Sequence, residues 1–436
     1  MIALIQAGGA GTRLKDITGD LPKPMVPIAG KPILEWQIES LVRSGVYQVW
    51  IVCPKVSTAI QDYFGDGSKF GVKLHYLVEE KPLGTGGALF YAAQTIKEDF
   101  LLLFGDLMLD VDWERFYKFH KRHQGVITTF AHPNSHPYDS DVLVADSESK
   151  VVHILSKKEP RDSYYENLTN AGLYVVSNAL LDTFREMDEP IKMDFEKDLL
   201  APTIYADGVY AYRSSEYVKD CGTPDRYISV GKDCENGVVA SRNLSRPQRA
   251  IFLDRDGVIN VFGNFVTSPD MLRIKEDAPR AIRKINESRY LAICVTNQPV
   301  VARGETSFAT LKEIHNKMED LLGEQGSYLN DLYFCPHHPD KGFEGEVPEL
   351  KIDCPCRKPK IGMLKKAEKD YHIDLSASWM VGDTHQDIQT GINAGCRTIL
   401  VTSGDPNPAA KYASAKPDYV CKDLEEAVDL ILSLDK

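Results

Sequence analysis

Short apolar, β-branched runs alternate with helical patterns along this chain, stop once, and start again. That interrupted alternation limits the fold more than any other feature. In the first part Ile2–Gln6 is followed by a helical pattern at Ile33–Arg43, Val46–Cys53 by Thr58–Phe64, and Leu101–Phe104 by Trp113–His123. Around Asn236–Gln248 the pattern lapses into Asn, Gly, Ser, Arg and Pro. It restarts at Ala250–Leu253, then gives helix Pro279–Ser288, strand Leu291–Val295, helix Phe308–Leu322 and strand Asp331–Phe334. Helix Met363–Tyr371, strand Trp379–Val381, helix Gln386–Ala394, strand Thr398–Val401 and helix Leu424–Leu432 complete it. Such alternation predicts βαβ units and mostly parallel sheets. The expectation is an α/β protein of two tandem domains, 1–235 and 249–436, with a linker at 236–248.

A length of 436 residues suits two or three domains that each bury a core. The net charge of −12 argues against nucleic acid, because a phosphate backbone wants a basic stripe. Small anionic substrates stay open, provided metals and a few local cations neutralise them. No apolar run reaches membrane-spanning length, and Met1–Gly8 shows no basic region or cleavage site. No membrane partner is therefore expected. Cys53, Cys221, Cys234, Cys294, Cys396 and Cys421 stand isolated and suggest no disulfide framework, so the chain reads as cytoplasmic.

The other three cysteines are grouped. Cys335-Pro336-His337 and Cys354-Pro355-Cys356 bracket a loop and supply four soft or borderline donors, enough to close a tetrahedral zinc site. The second pair runs into Arg357 and Lys358, so a metal there would hold two cations over an anionic substrate.

Strand 250–253 ends in Asp254-Arg255-Asp256-Gly257, which sets two carboxylates at the carboxyl edge, where open α/β sheets bind ligands. Thr296-Asn297-Gln298, Lys358 and Gly382-Asp383 follow at strand exits or on the cysteine loop. This set resembles the haloacid-dehalogenase-like phosphatases over essentially all of 249–436. The cysteine loop resembles the branch containing heptose 1,7-bisphosphate and histidinol-phosphate phosphatases. The resemblance implies a capless Rossmannoid domain with Asp254 as nucleophile and Asp256 as general acid/base. It further implies that Thr296 and Lys358 bind the phosphoryl group and that Asp254, Asp256 (through its carbonyl) and Asp383 bind Mg²⁺. Asn297 and Arg357 would contact substrate. Asp387, one helical turn beyond Asp383, stays open between the metal's water shell and a solvated helix-start acid. The chain departs from the family pattern at Thr384, where Lys is common, and at Pro299-Val300-Val301.

At the other end, Gly8-Gly9-Ala10-Gly11-Thr12-Arg13 leaves the first strand with glycines that let backbone N–H groups approach phosphates. Lys23 sits on a proline-flanked loop, and the glycine spacing is neither a Walker loop nor a dinucleotide fingerprint. Together with Pro82-Leu83-Gly84-Thr85-Gly86-Gly87, Phe104-Gly105-Asp106 and Asp220-Cys221-Gly222-Thr223-Pro224, the pattern resembles the sugar-1-phosphate nucleotidyltransferases over residues 1–235. The resemblance implies a Rossmann-like domain with a mixed, mostly parallel sheet. Gly8, Gly9, Gly11 and Thr12 would cradle the nucleoside triphosphate, Gly84 and Thr85 the base, and Arg13 and Lys23 the phosphates. Asp106 and Asp220 would hold Mg²⁺, and Asp141, Glu159, Asn170 and Gly172 the sugar. Where the family has Glu-Lys-Pro this chain has Lys158-Glu159-Pro160. A sugar 1-phosphate has a second pKa of about 6, so it attacks as a dianion without a general base.

The two resemblances constrain each other. A 1,7-bisphosphate phosphatase releases a heptose 1-phosphate, which a sugar-1-phosphate nucleotidyltransferase consumes. The joint expectation is two steps toward a nucleotide-activated heptose for surface polysaccharide, with GTP as donor and GDP-D-glycero-α-D-manno-heptose as product. Two alternatives stand beside it: a mannose-1-phosphate guanylyltransferase joined to a phosphatase of unrelated substrate, or one domain acting as a non-catalytic regulatory or assembly module. Transferases of this type often assemble, so a homo-oligomer is also open.

Overall fold

The computed structural model describes residues 1–8, 19, 21–55, 58–161, 163–206, 208–263, 265–404 and 412–435. Gly9, Gly11, Thr12 and Arg13 of the nucleotide loop lie outside these residues. The chain forms two compact units. The first holds Met1–His132, Leu143–Leu155 and Asn170–Asn243; the second holds Pro133–Val142, Ser156–Thr169 and Leu244–Lys436.

The first unit is built on a mixed sheet of nine strands among the described residues. Its main path runs Val151–Leu155, Val142–Ala145, Thr169–Val176, Phe100–Phe104, Ile2–Gln6, Gln48–Pro54, Lys73–Glu79. The pairings from Phe100–Phe104 to Lys73–Glu79 are parallel, whereas Thr169–Val176 runs antiparallel to Phe100–Phe104. Ile2–Gln6 is buried along its whole length, as an apolar run in a sheet covered on both faces must be. Helix Trp113–His123 shows how local chemistry sets the ends. Asp112 accepts from the Arg115 amide at 3.0 Å, Gln124 closes the helix in the left-handed region, and Trp113, Phe116 and His120 form the buried face.

The second unit carries an all-parallel sheet of six strands in the order Asp331–Cys335, Tyr290–Asn297, Arg249–Leu253, Trp379–Gly382, Arg397–Val401, Tyr419–Cys421. Ile251 and Leu253 pack into one core cluster while Ala250 and Phe252 pack into the other, the period of two expected of a strand buried on both faces. Losing the Phe252 ring to Ala would cost about 3–5 kcal/mol. Arg249–Leu253 lies between the strands that follow it first and third in the chain, so its carboxyl end is the topological switch point where a crevice opens.

The boundary between the two units, Asn243 to Leu244, falls within residues 236–248, read above as a linker. These residues hold the helix Val238–Ser241, with Val238 and Val239 buried in the first unit and Leu244 buried in the second.

Candidate active sites

The switch point of the second unit gathers charge. Lys358, 2% exposed, lies 2.9 Å from Asp254 and 2.5 Å from Asp387. Burial pulls its ammonium pKa down, but the two carboxylates outweigh this and hold it above the usual range. Burial pushes Asp254 up to about 7, reinforced by Asp387 and Asp256 and opposed by Lys358. Both shifts favour the protonated form of the group. Lys358 is the charged member, since it alone has two anionic partners. Asp387 also accepts from the Thr384 hydroxyl at 2.6 Å and amide at 3.2 Å, capping helix His385–Ala394. It is therefore a buried ion-pair partner, and the solvated helix-start alternative is overturned.

Asp254, Asp383 and Asp387 each offer an oxygen within 4.8 Å of the others, a set that fits a hard divalent cation. Two glycines allow this closeness. A Cβ on Gly257, whose φ is +81°, would lie 2.0 Å from an Asp383 oxygen, and one on Gly382 would lie 2.1 Å from Asp387 Cβ.

The Asp256 carboxylate is not in that group. It takes Arg255 at 2.8 and 2.9 Å, Gln298 at 2.8 Å and Asn260 at 3.0 Å. Burial would raise its pKa, but Arg255, Gln298 and Asn260 override that and keep it below the ordinary carboxylate range. Gln298 also donates to the Thr296 hydroxyl at 2.9 Å, joining Thr296 to Asp256. Asn297 accepts from the Lys358 amide at 3.0 Å and so fixes the loop carrying Lys358.

That loop is held from its other side. Among Cys335, His337, Cys354 and Cys356, sulfur–sulfur separations are 3.2–3.4 Å and sulfur–nitrogen separations 3.4–3.6 Å. Ligands at about 2.3 Å (S) and 2.0 Å (N) from one tetrahedral centre would lie roughly 3.5–3.8 Å apart. The sulfur–nitrogen separations match such a centre, and the sulfurs would move apart by about half an ångström to reach it. Arg357, half-buried, donates to the His337 carbonyl at 3.2 Å. Burial pulls its pKa down, opposed by Cys335 and reinforced by the positive charge of Arg303.

In the first unit Lys23 lies 3.0 Å from Asp106, and a Cβ on Gly222 would lie 3.5 Å from its ammonium and 3.0 Å from an Asp220 oxygen. The Cys221 amide donates to the Asp106 carbonyl at 2.9 Å. Asp106, Asp220 and Lys23 thus meet. Burial raises Asp220, but an ion pair with Arg226, the Gly222 amide and Lys23 lower it further.

Gly8 and the turn Gly84–Gly87 approach each other through Glu79. A Cβ on Gly8 would lie 2.8 Å from a Glu79 oxygen, and the Leu83 amide bonds Glu79. Glu79 is 6% exposed, its Oε1 has no hydrogen-bond partner, and burial raises its pKa. Thr85 is turned elsewhere: its hydroxyl accepts from the Phe195 amide at 2.8 Å. The expected sugar contacts divide. Asn170 and Gly172 belong to the first unit, whereas Asp141 and Glu159 fall in the second. Asp141 accepts from the Lys157 amide at 2.8 Å, and the Glu159 amide closes a turn onto Ser156.

The nucleotidyl transferase family model matches residues 2–237, more than half the chain. The chain belongs to the nucleotidyl transferase family. A HAD-hydrolase-like model matches residues 355–427. The chain is 31% identical over 261 residues to a mannose-1-phosphate guanylyltransferase of Mycobacterium tuberculosis, covering 58% of this chain and 70% of the relative. Over 181 residues it is 40% identical to a D-glycero-beta-D-manno-heptose-1,7-bisphosphate 7-phosphatase of Yersinia pestis, covering 41% and 92%. The crystal structure of HddC from Yersinia pseudotuberculosis matches 53% of this chain and 99% of its own at 27% identity and a TM-score of 0.46. This family member is a bifunctional enzyme, a nucleotidyltransferase joined to a phosphatase. Among the described residues no helix is long and apolar enough to cross a membrane.

Sequence reasoning passed over Arg255, Gln298, Glu79 and Arg226. Arg255 was legible as the cation between two aspartates, and Gln298 as part of Thr296-Asn297-Gln298. Glu79 is one acid beside another in Glu79-Glu80, and only folding shows which is buried.

Proposed function

We propose that this enzyme removes the 7-phosphate of D-glycero-D-manno-heptose 1,7-bisphosphate and joins the resulting heptose 1-phosphate to GMP from GTP, releasing pyrophosphate. Residues 249–436 would carry the first step and residues 1–235 the second. The observation that carries this reading is that one chain matches a heptose-1,7-bisphosphate 7-phosphatase, whose reaction leaves a sugar 1-phosphate, and a mannose-1-phosphate guanylyltransferase, which consumes a sugar 1-phosphate.

In the first step an Asp254 oxygen attacks phosphorus, the bond to the C7 oxygen breaks, and Asp256 protonates the leaving alkoxide. Water then attacks the aspartyl-phosphate, Asp256 takes its proton, and phosphate leaves with the Asp254 carboxylate restored. Arg255, Gln298 and Asn260 hold Asp256 in place and weight it toward the anion needed for the second half. Lys358 and Thr296 would bind the transferring phosphoryl group. Asp254 and Asp383, with the Asp256 carbonyl, would hold Mg²⁺, which offsets repulsion between nucleophile and ester. The four-donor cluster would hold zinc, fixing Arg357 for the remote 1-phosphate, with Asn297 bracing Lys358.

In the second step Lys23 and Arg13 would neutralise the triphosphate, and Asp106 and Asp220 would hold the other Mg²⁺. Guanine favours the Glu79 site: its N1–H and N2–H donors lie side by side on one edge and match a carboxylate's two acceptors. Adenine presents an acceptor there, which a buried, unpartnered oxygen would repel.

The test is incubation of the purified protein with heptose 1,7-bisphosphate, Mg²⁺ and each nucleoside triphosphate in turn, reading phosphate and pyrophosphate separately. Phosphate in every tube and pyrophosphate chiefly with GTP is expected. Pyrophosphate from mannose 1-phosphate and GTP, with no phosphate from the heptose ester, would favour the mannose reading.

A further inference from the structure

Asn170 was expected to contact a sugar hydroxyl, but its amide is already spent. The nitrogen donates to Glu196 Oε1 and to the Tyr174 hydroxyl, both at 2.7 Å. The oxygen accepts from the Thr129 hydroxyl at 2.8 Å and from the Gly172 amide at 3.2 Å. A carboxylate only accepts, so Glu196 dictates which way the amide points.

The consequences run in two directions. Toward the strand, the Asn170 oxygen braces Gly172, whose φ is +72° and whose face lies against Phe104, two residues before Asp106. Toward the nucleotide turn, Glu196 is the second residue of a π-helix, Phe195–Leu200. That helix begins where the Thr85 hydroxyl accepts the Phe195 amide at 2.8 Å, and the Gly86 amide donates to the Met193 carbonyl at 2.9 Å. The Thr85 carbonyl in turn accepts from Gln6 at 2.9 Å. Gly84 and Gly87 are needed for this contact, since a Cβ on either would lie 2.4–2.5 Å from a backbone oxygen of Met193 or Ile191. A π-turn is rare and favours functional sites, because its extra residue re-aims a side chain. Here Glu196 lies two residues beyond the capping Asp194, within the first turn.

We propose that Glu196 is a positioning residue for nucleotidyl transfer, orienting Asn170 and the Gly172 bend and tying them through the π-helix to the Gly84–Gly87 turn. Filling of the nucleotide turn then stiffens the strand that meets the sugar phosphate, and the two substrates bind cooperatively. This rests on the transferase reading above, with Gly84 and Thr85 on the nucleotide side and Asn170 and Gly172 on the sugar side.

The experiment uses the full chain with Glu196→Ala and Glu196→Gln, assayed by pyrophosphate release with heptose 1-phosphate and GTP. Phosphate release from the bisphosphate serves as a check that the chain is intact. Glu196→Ala should raise the KM for the sugar phosphate about tenfold or more. It should also abolish the fall in that KM as GTP rises, with kcat changed far less. Glu196→Gln still accepts from Asn170 and should keep most of the wild-type behaviour. A sugar-phosphate KM within twofold of wild type in Glu196→Ala overturns the proposal. Equal damage in both variants also overturns it, since the charge itself would then matter. Absence of pyrophosphate release from wild type with every nucleotide would instead defeat the transferase reading.

Discussion

The charged groups of the second unit neutralise one another in the buried interior, whereas those of the first unit pair nearer to solvent, Lys23 with Asp106 and Asp220 with Arg226. Lys358 is sealed between Asp254 and Asp387, and Arg255 is 0% exposed against Asp256. Buried charge must be paired, and removing one partner of such a pair typically costs 3–5 kcal/mol. Lys23 and Asp106 remain 15% and 31% exposed, so water shares the cost of keeping them charged. Glu79 carries an unpartnered oxygen in the interior. On the proposed reading, the phosphatase site is preorganised by buried ion pairs and the transferase site by more exposed ones. That difference suits the chemistry. A nucleophile must be aimed within the protein, while a polyphosphate and its cation bring most of their own charge.

The sharpest way to break this comparison is to remove one carboxylate from each side. Asp254→Asn should cut phosphate release by on the order of 10³-fold or more while leaving pyrophosphate release from supplied heptose 1-phosphate intact. Asp106→Ala should do the reverse, costing transfer on the order of 10²-fold and sparing the phosphatase. Separate assays of the two products decide it, and loss of both activities in one folded variant defeats the division of labour.

A smaller effect tests what holds Lys358 in place. Cys354→Ser should lose tightly bound metal by elemental analysis and lower phosphatase activity roughly tenfold, as loss of supporting contacts around a site commonly does. The surrounding core should keep the unit folded. Undiminished stoichiometric metal would remove Cys354 from the ligand set.

The smallest effect is a change of slope. His315 is buried against Arg255 at 3.3 Å, and burial, with the Arg255 charge, lowers its pKa to about 3. In an unfolded chain histidine titrates near 6.5, so between about 6.5 and 3 the unfolded state binds a proton that the folded state refuses. Stability therefore falls as the pH drops through that window, by up to about 1.4 kcal/mol per pH unit. His315→Asn should flatten the fall, measured as denaturant midpoints between pH 7 and 4. An unchanged slope would mean that His315 takes its proton while folded.

Much of the second unit was legible because its signals are local. Ala250–Leu253 and Trp379–Val381 read as buried strands from their apolar runs, and the acids at their ends stand where a parallel sheet exposes side chains. Four metal-ligand side chains within two short motifs announce a cluster whatever lies between them. The role of Asp387 was not legible, because a helix-start acid looks the same whether it meets water or a lysine that lies 29 residues away in the chain.

By itself, then, the sequence determined the α/β class, the strand and helix order from Arg249 onward, and the residue types needed for both chemistries. Those follow from periodicity and from short-range geometry. That 133–142 and 156–169 group with the second unit was not legible in it. Tertiary structure alone decided that Val238, Val239 and Leu244 are buried and that Asp256 faces Arg255. It also decided that Asn170 spends its amide on Glu196, and that Glu79 rather than Glu80 is buried. Each of these depends on what lies across a sheet or under a turn. Burial sets how much an unpaired charge costs, and burial belongs to the packed chain rather than to any segment of it.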